Sequence, residues 1–169
     1  MTYQPDLFKS SDAPAEPILY FAFGSNLQIE QMKRRCPSAE VEGVGRLHGY
    51  RLAFAGFSVT RGGAGVATVI EDETAWTSGA VFSIDQADLN RLDRFEGHPV
   101  SYRRSLHPIR LDDGRIVWSH VYIKEDMENL PTEDYAMEVL NGYRQHGLDF
   151  EPLLNALESA KESRYPYAN

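Results

Sequence analysis

The chain is poor in cysteine and contains no long apolar run. Cys36 is the only cysteine among 169 residues, so no internal disulfide can form. A membrane-spanning helix needs about 20 consecutive apolar residues, and neither such a stretch nor a signal peptide is visible in the sequence. We therefore predict a cytoplasmic protein that does not bind membranes.

Positive charge is also scarce. Lysine and arginine together number 17 against 25 aspartates and glutamates, which gives a formal net charge of −8. A nucleic acid or an anionic membrane needs clustered Lys and Arg on its partner. The two basic clusters, Lys33-Arg34-Arg35 and Arg103-Arg104, are predicted to be a solvated helix face and a strand edge. The composition argues against nucleic-acid partners and fits either a monomer or a homodimer.

Patterns typical of metal, phosphate and thiol chemistry are missing as well. The five histidines are dispersed and form no ligand pair of the HxxxH kind, so we predict no metal. The glycines of Gly62-Gly63-Ala64-Gly65 lead into a strand and lack the following Lys-Ser/Thr of a P-loop, which predicts a flexible loop. Cys36 precedes Pro37 and has no histidine near it in sequence, so a packed, inert thiol is predicted. We expect no cofactor.

One stretch joins an apolar strand to a small polar turn. Residues 18–23 are rich in aromatic and aliphatic side chains and predict a strand. Gly24 permits backbone angles that other residues resist, while Ser25 and Asn26 can bond local backbone and fix its N–H groups. Residues 28–35 predict a helix, so the turn would lie at a helix N-terminus, where carboxylates bind. The alternative is a tight strand-to-helix connection without a ligand.

A second stretch places a carboxylate at a helix end. Leu89, Leu92 and Phe95 have helical spacing, and Gly97 ends the pattern. Glu96 then lies at the C-terminus, where the negative end of the helix dipole should raise its pKa. A raised pKa suits a general base. The alternative for Glu96 is a solvated surface residue, as most glutamates are.

The order of elements indicates one α+β domain over residues 17–165, preceded by a polar arm over residues 1–16. Asp112-Asp113-Gly114 predicts a hairpin turn. Asp85 is the predicted N-cap of the helix over residues 86–95, and Gly147 is predicted to end the helix over residues 133–145. The predicted strands are 18–23, 41–56 with a bend near Gly49, 65–71, 76–84, 101–111 and 115–124, and the predicted helices are 28–35, 86–95, 133–145 and 151–161.

Taken in this order, the motifs resemble the γ-glutamylcyclotransferase family, which includes the AIG2-like proteins. Family members carry Tyr-x-Ala-Tyr-Gly-Ser-Asn-Leu near the start, which matches Tyr20–Leu27 with Phe23 in place of the usual tyrosine. They also carry Leu-Asp-x-x-Glu-Gly followed by a tyrosine, which matches Leu92–Gly97 and Tyr102. The resemblance covers most of the chain, with further matches at Arg35-Cys36-Pro37, Leu47–Phe54, Gly65–Val69, Pro131, Tyr135–Gly142 and Gly147-Leu148.

The resemblance implies a small closed sheet, or barrel, with helices packed around it. It also implies that the α-amine of a γ-glutamyl substrate attacks its own γ-carbonyl, which forms 5-oxoproline and releases an amine or an amino acid. Glu96 would be the catalytic acid/base, and backbone N–H groups of the turn would hold a carboxylate or an oxyanion. The residues expected to bind substrate are Tyr20, Gly24, Ser25, Asn26, Leu27, Tyr102 and Tyr122, with Tyr135 as a further neighbour.

Two other functions fit the same residues. A non-catalytic small-molecule binding protein of this fold would explain Phe23, because phenylalanine lacks the hydroxyl of the family tyrosine. Retention of Glu96 favours an enzyme, since a carboxylate is costly to desolvate in a pocket that does not need it. A relative that acts on a γ-glutamyl group attached to something other than an amino acid would use the same chemistry.

Overall fold

A closed five-stranded barrel forms the centre of the computed structural model, which describes residues 16–164. The predicted arm, apart from Glu16, and the last residue of the predicted domain, residue 165, lie outside the described residues. Two 3-10 turns, Ser25–Leu27 and Val59–Arg61, follow the first and second strands. The strands are β1 Ile18–Ala22, β2 Glu40–Ser58, β3 Ala64–Ile84, β4 Arg103–Leu111 and β5 Ile116–Ile123, and the helices are α1 Ile29–Arg35, α2 Gln86–Glu96, α3 Glu133–His146 and α4 Glu151–Arg164.

The strands follow one another around the barrel in the order β1-β3-β2-β4-β5. Neighbouring strands are antiparallel except for β1 and β5, which close the barrel in parallel at Tyr20 and His120. Closure satisfies the backbone groups that an open sheet would expose at its edges. The predicted fold class, an α+β protein with a small closed mixed sheet and surrounding helices, is confirmed.

The predicted strands 65–71 and 76–84 are one strand, β3, so the separation between them was wrong. Its pairing with β2 shifts register between Tyr50–Glu71 and His48–Trp76. The extra residues of β3 form a bulge in which Asp72 Oδ1 accepts hydrogen bonds from Thr74 N at 3.0 Å and Thr74 Oγ1 at 2.7 Å. The residues between the two predicted strands therefore form a local bulge in a continuous strand.

The predicted turn and cap residues are confirmed. The predicted bend in β2 coincides with the register shift beside Gly49, which has a φ of +80°. Asp85 caps α2, since its side chain accepts from Asp88 N at 2.7 Å. Gly147 ends α3 in the left-handed conformation, with a φ of +63°. Residues 112–114 join the antiparallel pair β4 and β5.

The core fills the barrel and the space between the barrel and the helices. Its largest fully buried side chains include Phe21, Phe54, Phe82 and Tyr143. Cys36 is also fully buried, and burial raises the pKa of its thiol to about 12, which agrees with the predicted inert thiol. None of the helices in the described residues has the length and apolarity that a membrane-crossing helix requires.

Helix α3 fixes the turn that follows β1. Gln28 Nε2 donates to the Glu138 carbonyl at 2.8 Å, and His146 Nε2 donates to the Leu27 carbonyl at 2.7 Å. Between these bonds, a Cβ on Gly142 would lie 2.4 Å from Leu27 Cβ. Only glycine lets the helix approach the turn this closely, so α3 sets the position of residues 25–27.

Gly142→Ala should therefore lower the free energy of unfolding, by about 1–3 kcal/mol, because the added methyl group overpacks the contact with Leu27. Helix propensity alone predicts the opposite sign, since alanine is better than glycine by about 1 kcal/mol in a helix. Urea denaturation measures the difference. Asn141→Ala, at the exposed neighbouring position, is the control and should cost little. Equal stability of Gly142→Ala and the parent would contradict the close packing.

Candidate active site

A cleft of about 440 Å³ opens where β1, its following turn and the end of α2 meet. The loop after β2, together with Val66 and Ala67 of β3, forms another wall. The predicted site residues that line the cleft are Tyr20, Gly24, Ser25, Asn26, Glu96, Tyr102, Tyr122 and Tyr135. The fold thus brings together the two motifs that the sequence keeps about 70 residues apart.

Glu96 is the last residue of α2, and Gly97 ends the helix with a φ of +64°. The Glu96 side chain lines the cleft, where Asn26 Nδ2 donates to its Oε1 at 3.1 Å. Burial raises the pKa of Glu96, while the charge of Arg35 and the hydrogen bond from Asn26 act to lower it. The predicted direction of the shift is the same, but its largest cause is loss of solvent rather than the helix dipole.

Asn26 connects the groups around this carboxyl. Its Nδ2 donates to Tyr20 Oη at 2.9 Å as well as to Glu96, and its Oδ1 accepts from Arg35 Nη1 at 2.6 Å. We predicted that Ser25 and Asn26 would bond the local backbone, and this was wrong. Both side chains instead accept bonds from Gln31 Nε2, at 2.9 and 3.3 Å. Asn26 therefore links the Glu96 carboxyl to the side chains of Gln31 and Arg35 on α1.

Arg35 corrects a prediction, because it was assigned with Lys33 and Arg34 to a solvated helix face. Lys33 and Arg34 are exposed, but Arg35 is half-buried, lines the cleft and lies with its guanidinium 5.0 Å from the Phe95 ring centroid. Gln31 and Arg35 are four residues apart and so share a helix face. The four-residue spacing of Gln31 and Arg35, in the helix that follows the polar turn, was the signal in the sequence that could have placed Arg35 in the site.

The second basic cluster divides in the same way. Arg103 is exposed, whereas Arg104 is only 22% exposed and its Nε lies 3.1 Å from Asp93 Oδ1. The same carboxylate oxygen accepts a hydrogen bond from Tyr122 Oη at 2.7 Å. Arg104 is thus part of a charge pair behind the cleft rather than a solvated strand edge.

Gly24 has a φ of −110° and a ψ of −143°, a combination that lies outside the left-handed region and also outside the usual strand and helix regions. The glycine is needed for packing, because a Cβ there would lie 2.9 Å from Ala67 Cβ and 3.5 Å from Tyr135 Oη. The requirement for glycine at position 24 therefore comes from close packing against Ala67 of β3.

Leu27 was predicted to bind substrate, but it is not among the residues that line the cleft. Its side chain is fully buried against α3, and its N–H donates to the Gly24 carbonyl at 3.0 Å. At the start of α1, the Ile29 N–H donates to Gln145 Oε1 at 3.0 Å and is therefore not available to a ligand. The N–H groups of Ser25 and Asn26, which open the 3-10 turn, have no acceptor among residues 16–164. These two are the free donors of the turn.

The four tyrosines of the cleft divide into two pairs. Tyr102 and Tyr122 donate their hydroxyl protons, to the Ala67 carbonyl at 2.9 Å and to Asp93 at 2.7 Å. Tyr20 and Tyr135 accept instead, Tyr135 from the Ala67 N–H at 3.1 Å, so each keeps a proton that it can donate to a ligand. Burial raises the pKa of all four phenols and keeps them neutral.

Three cations that line the cleft, Arg61, Arg94 and Lys124, were missed by the sequence analysis. Arg61 lies 4.1 Å from the Tyr135 ring centroid and pairs with Glu138 at 2.9 Å. Lys124 Nζ lies 5.7 Å from the Tyr102 ring centroid. Lys124 is the residue after β5 and follows Tyr122 by two residues, and this spacing was the signal that could have found it. Within the described part of the chain, no three His, Cys, Asp or Glu side chains group as metal ligands would.

The glycine-rich loop contributes to the cleft through the residues on either side of it. Gly62 and Gly63 have φ values of +64° and +84° and do not line the cleft. The preceding residues 57–61 and the following Val66 and Ala67 do. The loop thus borders the pocket through its flanking residues.

Comparison with known proteins agrees with these motifs. The family model described as "Gamma-glutamyl cyclotransferase, AIG2-like" matches residues 20–139. Proteins named gamma-glutamylcyclotransferase from Bos taurus and Homo sapiens are each 28% identical over 150 residues, which cover 85% of this chain and 80% of theirs. A solved structure titled "Gamma-glutamyl cyclotransferase" is similar with a TM-score of 0.77 and 27% identity, covering 83% of this chain and 86% of that one.

Proposed function

The chain belongs to the γ-glutamyl cyclotransferase, AIG2-like family, and on that basis we propose that it converts a γ-glutamyl amide to 5-oxoproline and releases an amine or amino acid. The observation that carries the proposal is the Glu96 carboxyl, held in the cleft by Asn26 with its pKa raised by burial. A group of this kind accepts and returns protons near neutral pH more readily than a solvated glutamate does.

Glu96 acts first as a base. It accepts a proton from the α-ammonium of the substrate, and the freed amine then attacks the γ-carbonyl carbon to close a five-membered ring. Because nucleophile and carbonyl belong to one molecule, no bimolecular encounter has to be organised between them. Glu96 next returns this proton to the amide nitrogen as its bond to the γ-carbon breaks, and the second proton that the ring nitrogen loses is taken up by the released amine.

Hydrogen-bond donors near Glu96 supply the electrostatic part of the mechanism. The N–H groups of Ser25 and Asn26 and the hydroxyls of Tyr20 and Tyr135 are available to an anion in the cleft. They bind the α-carboxylate of the glutamyl group and the oxyanion that forms on the γ-carbonyl. A well-placed donor of this type contributes roughly 3–4 kcal/mol to transition-state stabilisation.

The proposed reaction is tested by its product. Purified protein is incubated with a panel of γ-glutamyl amino acids, γ-glutamylamines, γ-glutamyl-ε-lysine and glutathione, and 5-oxoproline is measured by mass spectrometry. The proposal expects 5-oxoproline and the free amine in equal amounts from at least one substrate. Release of glutamate instead would indicate hydrolysis.

The pH dependence of kcat/KM should report on Arg35. Activity is lost as pH falls through the pKa of Glu96, because the protonated carboxyl no longer accepts the ammonium proton. This acidic limb should lie above the ordinary glutamate value of 4.5, since burial raises the pKa of Glu96. Arg35→Met removes a positive charge that lowers this pKa, so the limb should move to higher pH.

Arg34→Met is the matched control for this experiment. It removes the same charge from the adjacent residue, whose side chain is 69% exposed and pairs with Glu30 at 3.9 Å. Solvent screens a charge at that position, so the acidic limb should stay where it is. Identical profiles for Arg35→Met and the parent would show that Glu96 is not the titrating base.

A non-catalytic binding protein is the second candidate, and Phe23 is the observation that favours it. Phe23 lines the cleft where the family has tyrosine, so one hydroxyl is missing from the wall. The hydroxyls of Tyr20 and Tyr135 still face the cleft, and we therefore place this candidate second. Saturable binding of γ-glutamyl amides without any 5-oxoproline would decide in its favour.

A further inference from the structure

The outer face of the β4–β5 hairpin carries large apolar side chains that the described residues leave exposed. Leu106, Ile116 and Trp118 are 53%, 66% and 62% exposed. Strand pairing places Pro108 opposite Trp118 and Arg110 opposite Ile116 on this face. Alternate residues of a strand share a face and lie about 7 Å apart. The apolar side chains therefore form one strip, and an exposed strip of this kind marks an interaction surface.

Two arginines extend the strip onto β2. Arg46 lies directly opposite Arg110, and both residues are exposed. Neither has an acidic partner among residues 16–164. Like charges directly opposite each other on neighbouring strands repel, so the pair is unfavourable unless an anion lies over it. The chain as a whole has a net charge of −8, which makes this positive spot a local exception.

Both tryptophans of the chain border this surface. Trp118 lies on β5, and the Arg46 guanidinium lies 4.1 Å from the ring centroid of Trp76 on β3. Tryptophan and arginine are enriched among the residues that dominate the binding energy of protein interfaces. The surface, which we call the tryptophan face, consists of Arg46, Trp76, Leu106, Pro108, Arg110, Ile116 and Trp118, and none of these residues lines the cleft.

We propose that the tryptophan face binds an extended segment of a partner protein in which carboxylates precede apolar side chains at every second position. An extended segment laid along β4 presents alternate side chains to the face, with the same spacing of about 7 Å as the strand itself. The long side chains of Arg46 and Arg110 bind its carboxylates, and its apolar side chains pack on Trp118 and Leu106. The surface is independent of the reaction proposed for the cleft.

The charges disfavour other occupants of the tryptophan face. In a twofold dimer the same patch serves both copies, and this face contains no carboxylate to offer a second copy of itself. Residues 1–15 of the chain carry Asp6 and Asp12 with Lys9 between them, which is not the alternating pattern. Nucleic acid is repelled by the net charge of −8. A partner with closely spaced carboxylates is therefore the occupant that we infer.

Tryptophan fluorescence tests the proposal, because both tryptophans lie on the face. The probe is the blocked peptide acetyl-Glu-Ser-Glu-Ser-Leu-Ser-Leu-amide, titrated into the full-length protein, and we expect a saturable change in emission. One control peptide has glutamine in place of both glutamates, and another has serine in place of both leucines. Each should bind about 3- to 30-fold more weakly, the range for two exposed ion pairs or two partly buried side chains.

Paired variants show whether the peptide lies on the proposed arginines. Arg46→Met/Arg110→Met should weaken binding of the acidic peptide about 3- to 30-fold and leave the affinity for the glutamine peptide unchanged. Arg34→Met/Arg144→Met removes two exposed arginines from α1 and α3 and is the charge-matched control. It should bind the acidic peptide as the parent does.

The apolar strip is tested in the same way. Leu106→Ser/Ile116→Ser keeps both tryptophans and should weaken binding of the acidic peptide about 3- to 30-fold. Leu154→Ser, at a leucine of α4 that is 59% exposed, is the control and should leave the affinity unchanged. Circular dichroism shows whether each variant is folded.

The proposal is overturned if the peptide causes no saturable change in emission, if the glutamine peptide binds equally well, or if either control variant loses as much affinity as its test variant. Tighter binding of a short oligothymidylate would make the face a nucleic-acid surface instead. A dimer in sedimentation that Leu106→Ser/Ile116→Ser abolishes would assign the face to a second copy. A shift in the emission of the free protein on Leu7→Ser/Phe8→Ser would assign it to residues 1–15.

Discussion

Glu96→Gln should lower turnover by about 10²–10⁴, the range for loss of a general acid/base. Glutamine has nearly the same size, and its side-chain carbonyl can still accept the hydrogen bond that Asn26 donates to Glu96 at 3.1 Å. What it lacks is the ability to take a proton from the substrate ammonium and return it to the leaving nitrogen. Initial rates of 5-oxoproline formation at saturating substrate measure the change.

Glu30→Gln provides a control for this substitution, because Glu30 lies on α1 with a side chain that is 88% exposed. It loses the same charge but should keep the parental rate. Thermal unfolding of both variants should be close to that of the parent, which separates a chemical defect from a folding defect. Near-parental turnover by a folded Glu96→Gln protein would rule out the proposed acid/base.

Acetylation of the substrate α-amine should abolish turnover. The nitrogen then belongs to an amide, whose lone pair is delocalised into the adjacent carbonyl, so it is no longer an effective nucleophile. The ring cannot close, and Cys36 cannot replace the amine as nucleophile, because it is buried with the pKa of its thiol raised to about 12. Chromatographic detection of the released amine, with the matching unacetylated substrate as reference, measures the loss.

A competition experiment tests whether the acetylated substrate fails to react simply because it does not bind. It should slow cleavage of the unacetylated substrate if it still enters the cleft, and it should do so without being consumed. Release of amine together with N-acetylglutamate would mean that water attacks the carbonyl, and the intramolecular mechanism would then be wrong.

Local features of the fold were predictable from the sequence, because they depend on residues close to one another in the chain. The N-cap at Asp85, the glycine that ends α3 at Gly147 and the hairpin at 112–114 each need only a few neighbouring residues. Helical spacing also placed Glu96 at the end of α2. The family resemblance rested on the order of such motifs, and the barrel was predicted from that resemblance.

Local patterning failed where a distant contact changed the role of a residue. A break between residues 71 and 76 was predicted, but β3 continues through these residues, and its pairing with β2 accommodates them as a bulge. At Gly24 the sequence predicted a need for particular backbone angles, but it did not reveal that Ala67 on another strand leaves no room for a side chain.

The composition of the site was decided by the tertiary structure. The sequence selected Glu96 and Asn26 separately, and the fold joined them across 70 positions through a hydrogen bond of 3.1 Å. Leu27, in contrast, is not part of the cleft lining, and its buried side chain packs against Gly142 of α3. The closure of the barrel and the packing of α1 and α3 against it brought Arg35 into the cleft beside Asn26.

By itself, then, the sequence determined most of the elements and several of their ends, and it selected the carboxylate on which the proposed chemistry depends, because hydrophobic spacing and capping act over one or two turns of chain. It did not determine which cations lie in the cleft or how well each is paired, as Lys124 and Arg61 illustrate. Burial and pairing depend on residues that are remote in sequence and become neighbours only when the strands close into a barrel.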